Sequence, residues 1–328
     1  MCSVQVHSNP DVFEVKVPFK NVSTNATNCY IVRDDDDVLV VDTGAPTEEG
    51  AAILLAALDE LGIDRTRARY FLTHLHLDHA GLVDAIVPDG AVLYLSPIDF
   101  EIDRASRSAT YFDEARRGFE QQGLSPSDAS GFARYAIEPQ LFDPERLDVR
   151  FVRENDDIKV GQFLFRVVET PGHTPGHLEL FESQSRILFG GDHILFVISP
   201  GIARFPGGKD GLQAYIDSLE KVRSLAPCRL FLSHGDEQDG ILDRIAWLDR
   251  HHKKRLDETI AIVRAEPGLS GEDVIRRIRW NVPADTWEGI AYLQRSCIVN
   301  QGIVILDHLI DRGSLSRTLD EHGVWRYY

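Results

Sequence analysis

The chain holds 328 residues, an ordinary 43% of them hydrophobic, with no apolar run of membrane-span length; one large globular domain plus a small one is expected, and a membrane-spanning helix is not. Its net charge of −17 lies wholly in the first 248 residues, because the 12 basic and 12 acidic side chains from Asp249 onward cancel. A body this acidic repels a phosphate backbone, which argues against nucleic acid as a partner.

The opening Met1-Cys2-Ser3-Val4-Gln5-Val6-His7 lacks the basic-then-apolar pattern of a signal peptide. Asn28 to Val32 and Val38 to Val41 read as strands joined by a solvated hairpin turn at Asp34 to Asp37, and Asp42-Thr43-Gly44 ends the second of them. An amphipathic helix from about Glu48 to Leu61 presents Ile53, Leu54, Ala57, Leu58 and Leu61 on one face and stops at Gly62. A strand over Arg69 to Leu72 follows.

It leads directly into Thr73-His74-Leu75-His76-Leu77-Asp78-His79-Ala80-Gly81. Residues two apart on a strand share a face, so His74 and His76 can chelate one ion together. Asp78 and His79 lie past the strand end and can face a neighbouring ion. A lone histidine is ordinarily a surface or core residue; H-x-H-x-D-H placed after a strand reads as a metal site.

Between Pro97 and Asp148 strand signals vanish, and a helical insertion over about 98–148 is expected. Its aromatics (Phe100, Tyr111, Phe112, Phe119, Phe132 and Tyr135) either wall a substrate pocket or pack the insertion in place. Strand texture returns at Phe163 to Val168, before Thr170-Pro171-Gly172-His173-Thr174-Pro175-Gly176-His177, where one histidine can complete the first ion's shell. Ile187-Leu188-Phe189 and Leu230-Phe231-Leu232 are strand-like and run into Gly190-Gly191-Asp192-His193 and Ser233-His234-Gly235-Asp236. Polar groups recur at strand ends, where Asp192 can bridge two ions and His234 offers a further imidazole.

After Asp249 the texture is helical. Ile245, Leu248, His252, Leu256, Ile260 and Val263 form one stripe ending at Pro267-Gly268. Ser270-Gly271-Glu272-Asp273 has the form of a capping box. A long helix is expected from about Ala284 to Asp311, and Leu315 to Leu319 with Val324 to Tyr328 read as a terminal hairpin. Cys2, Cys29, Cys228 and Cys297 form no CxxC pair; they are expected to be packing residues in a reducing cytoplasm.

These motifs resemble the metallo-β-lactamase-fold hydrolase superfamily, particularly its hydroxyacylglutathione hydrolase (glyoxalase II)-like branch. The resemblance implies an α/β protein with an αββα sandwich over residues 1–248 and a small winged-helix-like domain over 249–328. It implies His74, His76 and His173 as ligands of a first metal, and Asp78, His79 and His234 as ligands of a second, with Asp192 between them. Asp42 then either supports the metal loop or caps its strand. His177 falls behind the ligands, His193 faces the pocket, and His251 and His252 face solvent or the domain junction.

The implied activity is hydrolysis of a small-molecule thioester or related ester by a dinuclear zinc centre with a bridging hydroxide, iron or manganese being alternative metals. Asp78 is the catalytic residue as well as a ligand. The competing readings are a mononuclear iron oxidoreductase similar to persulfide dioxygenases, and a phosphodiesterase or lactonase on the same site. β-Lactam cleavage is disfavoured by Asp192 at the bridging position, and a diiron oxygen reductase by His76 where that group carries Glu. The zero net charge of the tail argues against DNA binding and for a pocket lid or homodimer contact.

Overall fold

Period-2 alternation lets one sheet face two cores at once. In β3 (Ala26–Asp34), Cys29 and Ile31 enter one core while Tyr30 and Val32 enter the other; in β4 (Asp37–Val41), Val38 and Val40 are separated from Leu39 and Val41 in the same way. The computed structural model describes residues 2–19, 24–135, 141–205, 207, 209–236, 240–282, 284 and 286–328. By internal contacts it divides into two units.

The first unit is Met1–Asp103, Pro139–Pro200 and Ser218–Ile245. Strands β1 (Val4–Ser8), β2 (Asp11–Pro18), β3, β4, β5 (Arg69–Phe71), β6 (Val92–Leu95) and β7 (Asp148–Phe151) form a seven-stranded sheet in sequence order. The hairpin expected at Asp34 to Asp37 is present, with Asp34 paired to Asp37 across the turn. Five further strands form a second sheet ordered β12-β11-β10-β9-β8: β8 (Asp157–Val160), β9 (Phe163–Glu169), β10 (Leu178–Glu182), β11 (Ile187–Gly191) and β12 (Arg229–Leu232).

Tyr30, Val32, Leu39, Val41 and Phe71 of the first sheet share a core with Phe165, Val167, Leu180 and Phe189 of the second. On the outer face of the first sheet, Leu54, Ala57 and Leu58 of α1 (Glu48–Glu60) pack on Ile31, Val40 and Tyr70. The second sheet's outer layer is the C-terminal half of α7 (Gly211–Leu225), whose Lys221 reaches the Glu169 carbonyl at 2.6 Å and whose Ser218 reaches that of Pro171 at 2.9 Å. Four layers, αββα, result. Short helices α2 (Leu77–Ala80) and α3 (Val83–Ile86) follow β5, and α4 (Pro97–Ser106) follows β6.

The second unit is Arg104–Glu138, Gly201–Asp217 and Ala246–Tyr328. It contains α5 (Ala109–Gln121), α6 (Pro126–Tyr135), most of α8 (Ile241–Ala265), α9 (Gly271–Arg277) and α10 (Tyr292–Asp311). Strands β13 (Leu269–Ser270), β14 (Arg317–Leu319) and β15 (Trp325–Tyr327) form a small sheet ordered β13-β15-β14. The Ser270–Asp273 capping box is formed, and Gly302 of α10 admits Ile275 of α9 where a Cβ would lie 2.4 Å from it. Phe132 meets Phe119 edge-to-face and Tyr292 at a tilt, so these aromatics of the insertion pack within this unit.

Three expectations need correction. The last long helix begins at Tyr292 rather than near Ala284, because the described part of 284–291 is spent on turns, with Gly289 N–H bonded back to Thr286. His252, expected to face solvent or the domain junction, does not face solvent: it is buried with its ring 5.2 Å from that of Tyr215. Cys228 and Cys297 are exposed rather than packed. No helix among the described residues is long and apolar enough to cross a membrane.

Candidate metal centre

Strand direction brings the polar motifs to one edge. β4 and β5 run parallel, so Asp42 and Thr73 emerge at the same end of the first sheet. β9, β11 and β12 share one direction in the second sheet, so the loops carrying His173, Asp192 and His234 leave at a common end. Backbone bonds tie the two edges: Asn28 N–H donates to the Ser233 carbonyl at 2.7 Å and Leu178 N–H to that of Thr73 at 2.8 Å.

All seven candidate ligands converge there. His76 Nδ1 lies 2.9 Å from both His74 Nε2 and His173 Nε2, a three-imidazole face. Asp78, His79 and His234 form a second group, with His234 Nε2 3.3 Å from Asp78 Oδ2 and His79 Nε2 3.9 Å from it. Asp192 stands between: its Oδ2 is 3.5 Å from His173 Nε2, and its Oδ1 is 3.5 Å from His79 Nε2 and 3.3 Å from His234 Nε2.

Burial pushes the His74 ring well below the usual imidazole range and His76 down to about 3, so these two rings present neutral nitrogen lone pairs. On the other side burial is outweighed by Asp192 and Asp78, which raise His234 to about 11, and by Asp42, Asp78 and Asp192, which raise His79. Burial is likewise outweighed for Asp78, held down to about 2 by His79 and His234, and for Asp192, held well below the carboxylate range by His234, His79 and His173. Buried carboxylates here demand positive charge. His79 Nε2 and Asp192 Oδ1 are buried without a hydrogen-bond partner in the protein, a costly state for polar atoms that cation coordination relieves. Nitrogen and oxygen donors with no sulfur fit divalent cations of the zinc type.

Several residues outside the seven support the ligands. Asp42 is in the left-handed region at φ 59°; its Oδ1 accepts from Thr73 N–H at 2.9 Å and its Oδ2 lies 2.8 Å from His79 Nδ1. It therefore caps its strand and orients the loop. His177 is buried behind the centre, where its Nε2 accepts the Asp192 N–H at 3.1 Å and its Nδ1 meets Thr170 Oγ1 at 2.8 Å. His193 is also buried, its ring 6.2 Å from that of His177. The start of β3 fastens the second group: the Ala26 carbonyl meets His234 Nδ1 at 2.8 Å, and Thr27 Oγ1 donates to the Asp78 carbonyl at 2.8 Å. Asn28 Nδ2 donates to the carbonyls of Leu232 and Gly235 on either side of His234. Only the polar residues at that strand's start signalled this, and a period-2 pattern does not distinguish them from solvated positions.

The model of the metallo-beta-lactamase superfamily matches residues 22–234, a span that holds all seven candidates. A "Beta-lactamase-like protein 2 homolog" from Drosophila melanogaster is 26% identical over 83% of this chain and 80% of its own length. "Hydroxyacylglutathione hydrolase GloC" from Haemophilus influenzae is 29% identical over 55% of this chain and 72% of its own length. A crystal structure of a beta-lactamase domain protein from Burkholderia ambifaria superposes with a TM-score of 0.78 at 25% identity, covering 99% of this chain and 94% of that one.

Proposed function

The chain belongs to the metallo-beta-lactamase superfamily of hydrolases, and from that premise we propose that it holds two zinc ions and hydrolyses a small thioester or related ester. The observation that carries this reading is the division of Asp192, one oxygen toward the three-imidazole face and the other toward His79 and His234. The name of the Haemophilus relative supports the thioester class. Four free cysteines support a reducing compartment such as the cytoplasm.

In this reading His74, His76 and His173 would hold one cation and Asp78, His79 and His234 the other, with Asp192 contributing to both. Bound there, such a pair would supply polarisation of a carbonyl oxygen and a water of pKa about 7. The residues do the rest. Asp78, more open than Asp192 at 18% against 10% side-chain exposure, takes the proton of the attacking water. His177 holds Asp192 by its backbone, and Asp42 holds His79 by its ring, so neither ligand reorganises during turnover.

Elemental analysis combined with a panel of thioester, lactone, phosphodiester and β-lactam substrates tests the proposal. Two zinc ions per chain with thioester cleavage is the expected result. One iron per chain with oxygen uptake overturns it in favour of a persulfide dioxygenase-like activity, and cleavage of a lactone or phosphodiester alone moves the substrate class. Light scattering at working concentration settles whether the chain is a homodimer.

A further inference from the structure

The two loops that build the three-imidazole face are gripped by a carboxylate belonging to neither. Asp99, in the first turn of α4, is 4% exposed. Its Oδ2 accepts from Thr174 Oγ1 at 2.6 Å and its Oδ1 from Gly176 N–H at 2.6 Å, and the Leu75 backbone N–H faces it closely enough to favour its charged form. Thr174 directly follows His173, and Leu75 lies between His74 and His76. Asp99 is itself fixed, because Ser96 Oγ accepts from the N–H groups of Ile98 and Asp99 at 3.2 and 3.5 Å. Gly176 lies hard against this turn: a Cβ there would be 2.3 Å from Ser96 Oγ and 2.7 Å from Asp99 Oδ1.

We propose that Asp99 is a positioning residue that sets the distance between His173 and the His74–His76 pair, and through it the affinity of the three-imidazole site. This rests on the dinuclear reading above. Two donors of the His173 loop bond this carboxylate and the Leu75 N–H between His74 and His76 faces it, so its deletion loosens the hold on both loops. Charge-assisted bonds of this kind are short and strong, and supports of ligand loops typically carry about 10–100-fold in metal affinity. An amide can replace much of the grip. Its oxygen can accept from Gly176 N–H, and the Thr174 hydroxyl can rotate to accept from its NH2 group.

The test is stepwise Co2+ titration of metal-free protein, followed by chelator competition and the visible d–d spectrum, neither of which depends on turnover. Asp99→Ala is expected to weaken one of the two Co2+ sites by about 10–100-fold and alter its band, leaving the other as in wild type. Asp99→Asn is expected to recover most of the affinity. If Asp99→Ala does not fold, Thr174→Val, which removes one donor and keeps the shape, is expected to shift the same site by a smaller factor. Wild-type affinities and spectrum in Asp99→Ala, or in Thr174→Val where that variant stands in, overturn the proposal while leaving the dinuclear reading intact. A wild type that binds no Co2+ overturns both.

Discussion

Asp42 Oδ2 lies 2.8 Å from His79 Nδ1, joining a strand end to a loop 37 residues further on. Both groups are essentially unexposed, and the His79 carbonyl accepts from Thr43 N–H at 2.8 Å and Gly44 N–H at 3.1 Å. The imidazole is thereby held at ring and backbone, with Nδ1–H directed to the carboxylate and Nε2 presented to the centre.

Asp42→Asn should therefore loosen the second site without emptying the core. A loss of about 10–100-fold in affinity for one cation is expected, read by competition with a chromophoric chelator. Unchanged affinity would reduce the contact to packing.

Asp78 and Asp192 should separate by metal content. Asp78→Ala is expected to abolish turnover and lower the metal content, leaving the three-imidazole face loaded. Asp192→Asn withdraws charge from both faces and should lower the retention of both cations. Elemental analysis after gel filtration decides, and full activity of Asp78→Ala in a metal-quantified preparation would remove Asp78 from the mechanism.

Glu179 on β10 is fully buried, with neither carboxylate oxygen hydrogen-bonded within the protein. Burial pushes its carboxyl well above the ordinary range, against a weaker opposing pull from Lys221. A raised folded value means that its stabilising share is whole below the unfolded carboxylate range and declines as pH rises toward the folded one. Glu179→Gln should match wild type near pH 4.5 and exceed it by about 1–3 kcal/mol at pH 8, by urea denaturation. A pH-independent difference would show that the carboxyl is solvated.

His252 carries the opposite sign. Burial first, then the His251 and Arg255 charges, lower it from 6.5 to about 3, and neither ring nitrogen has a hydrogen-bond partner in the protein. Stability present above pH 6.5 is lost as pH falls toward 3, because the unfolded chain takes up the proton first. The loss reaches about 2 kcal/mol by pH 5. His252→Phe keeps the edge contact with Tyr215 and should flatten this slope in thermal melts between pH 7 and 5. An unchanged slope would locate the acid sensitivity elsewhere.

The amino-acid order by itself determined whatever depends on neighbours along the chain. The runs Asn28 to Val32 and Val38 to Val41 marked two strands, the Asp34 to Asp37 run marked a turn, Ser270 and Asp273 marked a helix start, and H-x-H-x-D-H after β5 marked a metal-binding loop. Each of these is a local steric or hydrogen-bonding requirement, written within a few residues. Tertiary structure alone decided that Asp99 reaches Thr174 and Gly176, 75 and 77 positions away, that Ala26 and Asn28 secure the His234 loop, and that His177 carries Asp192. It also buried His252 and exposed Cys228 and Cys297. Periodicity states which face of an element is apolar and is silent about which distant element covers it. That outcome belongs to packing, where the layers place loops from separate strands on a common edge.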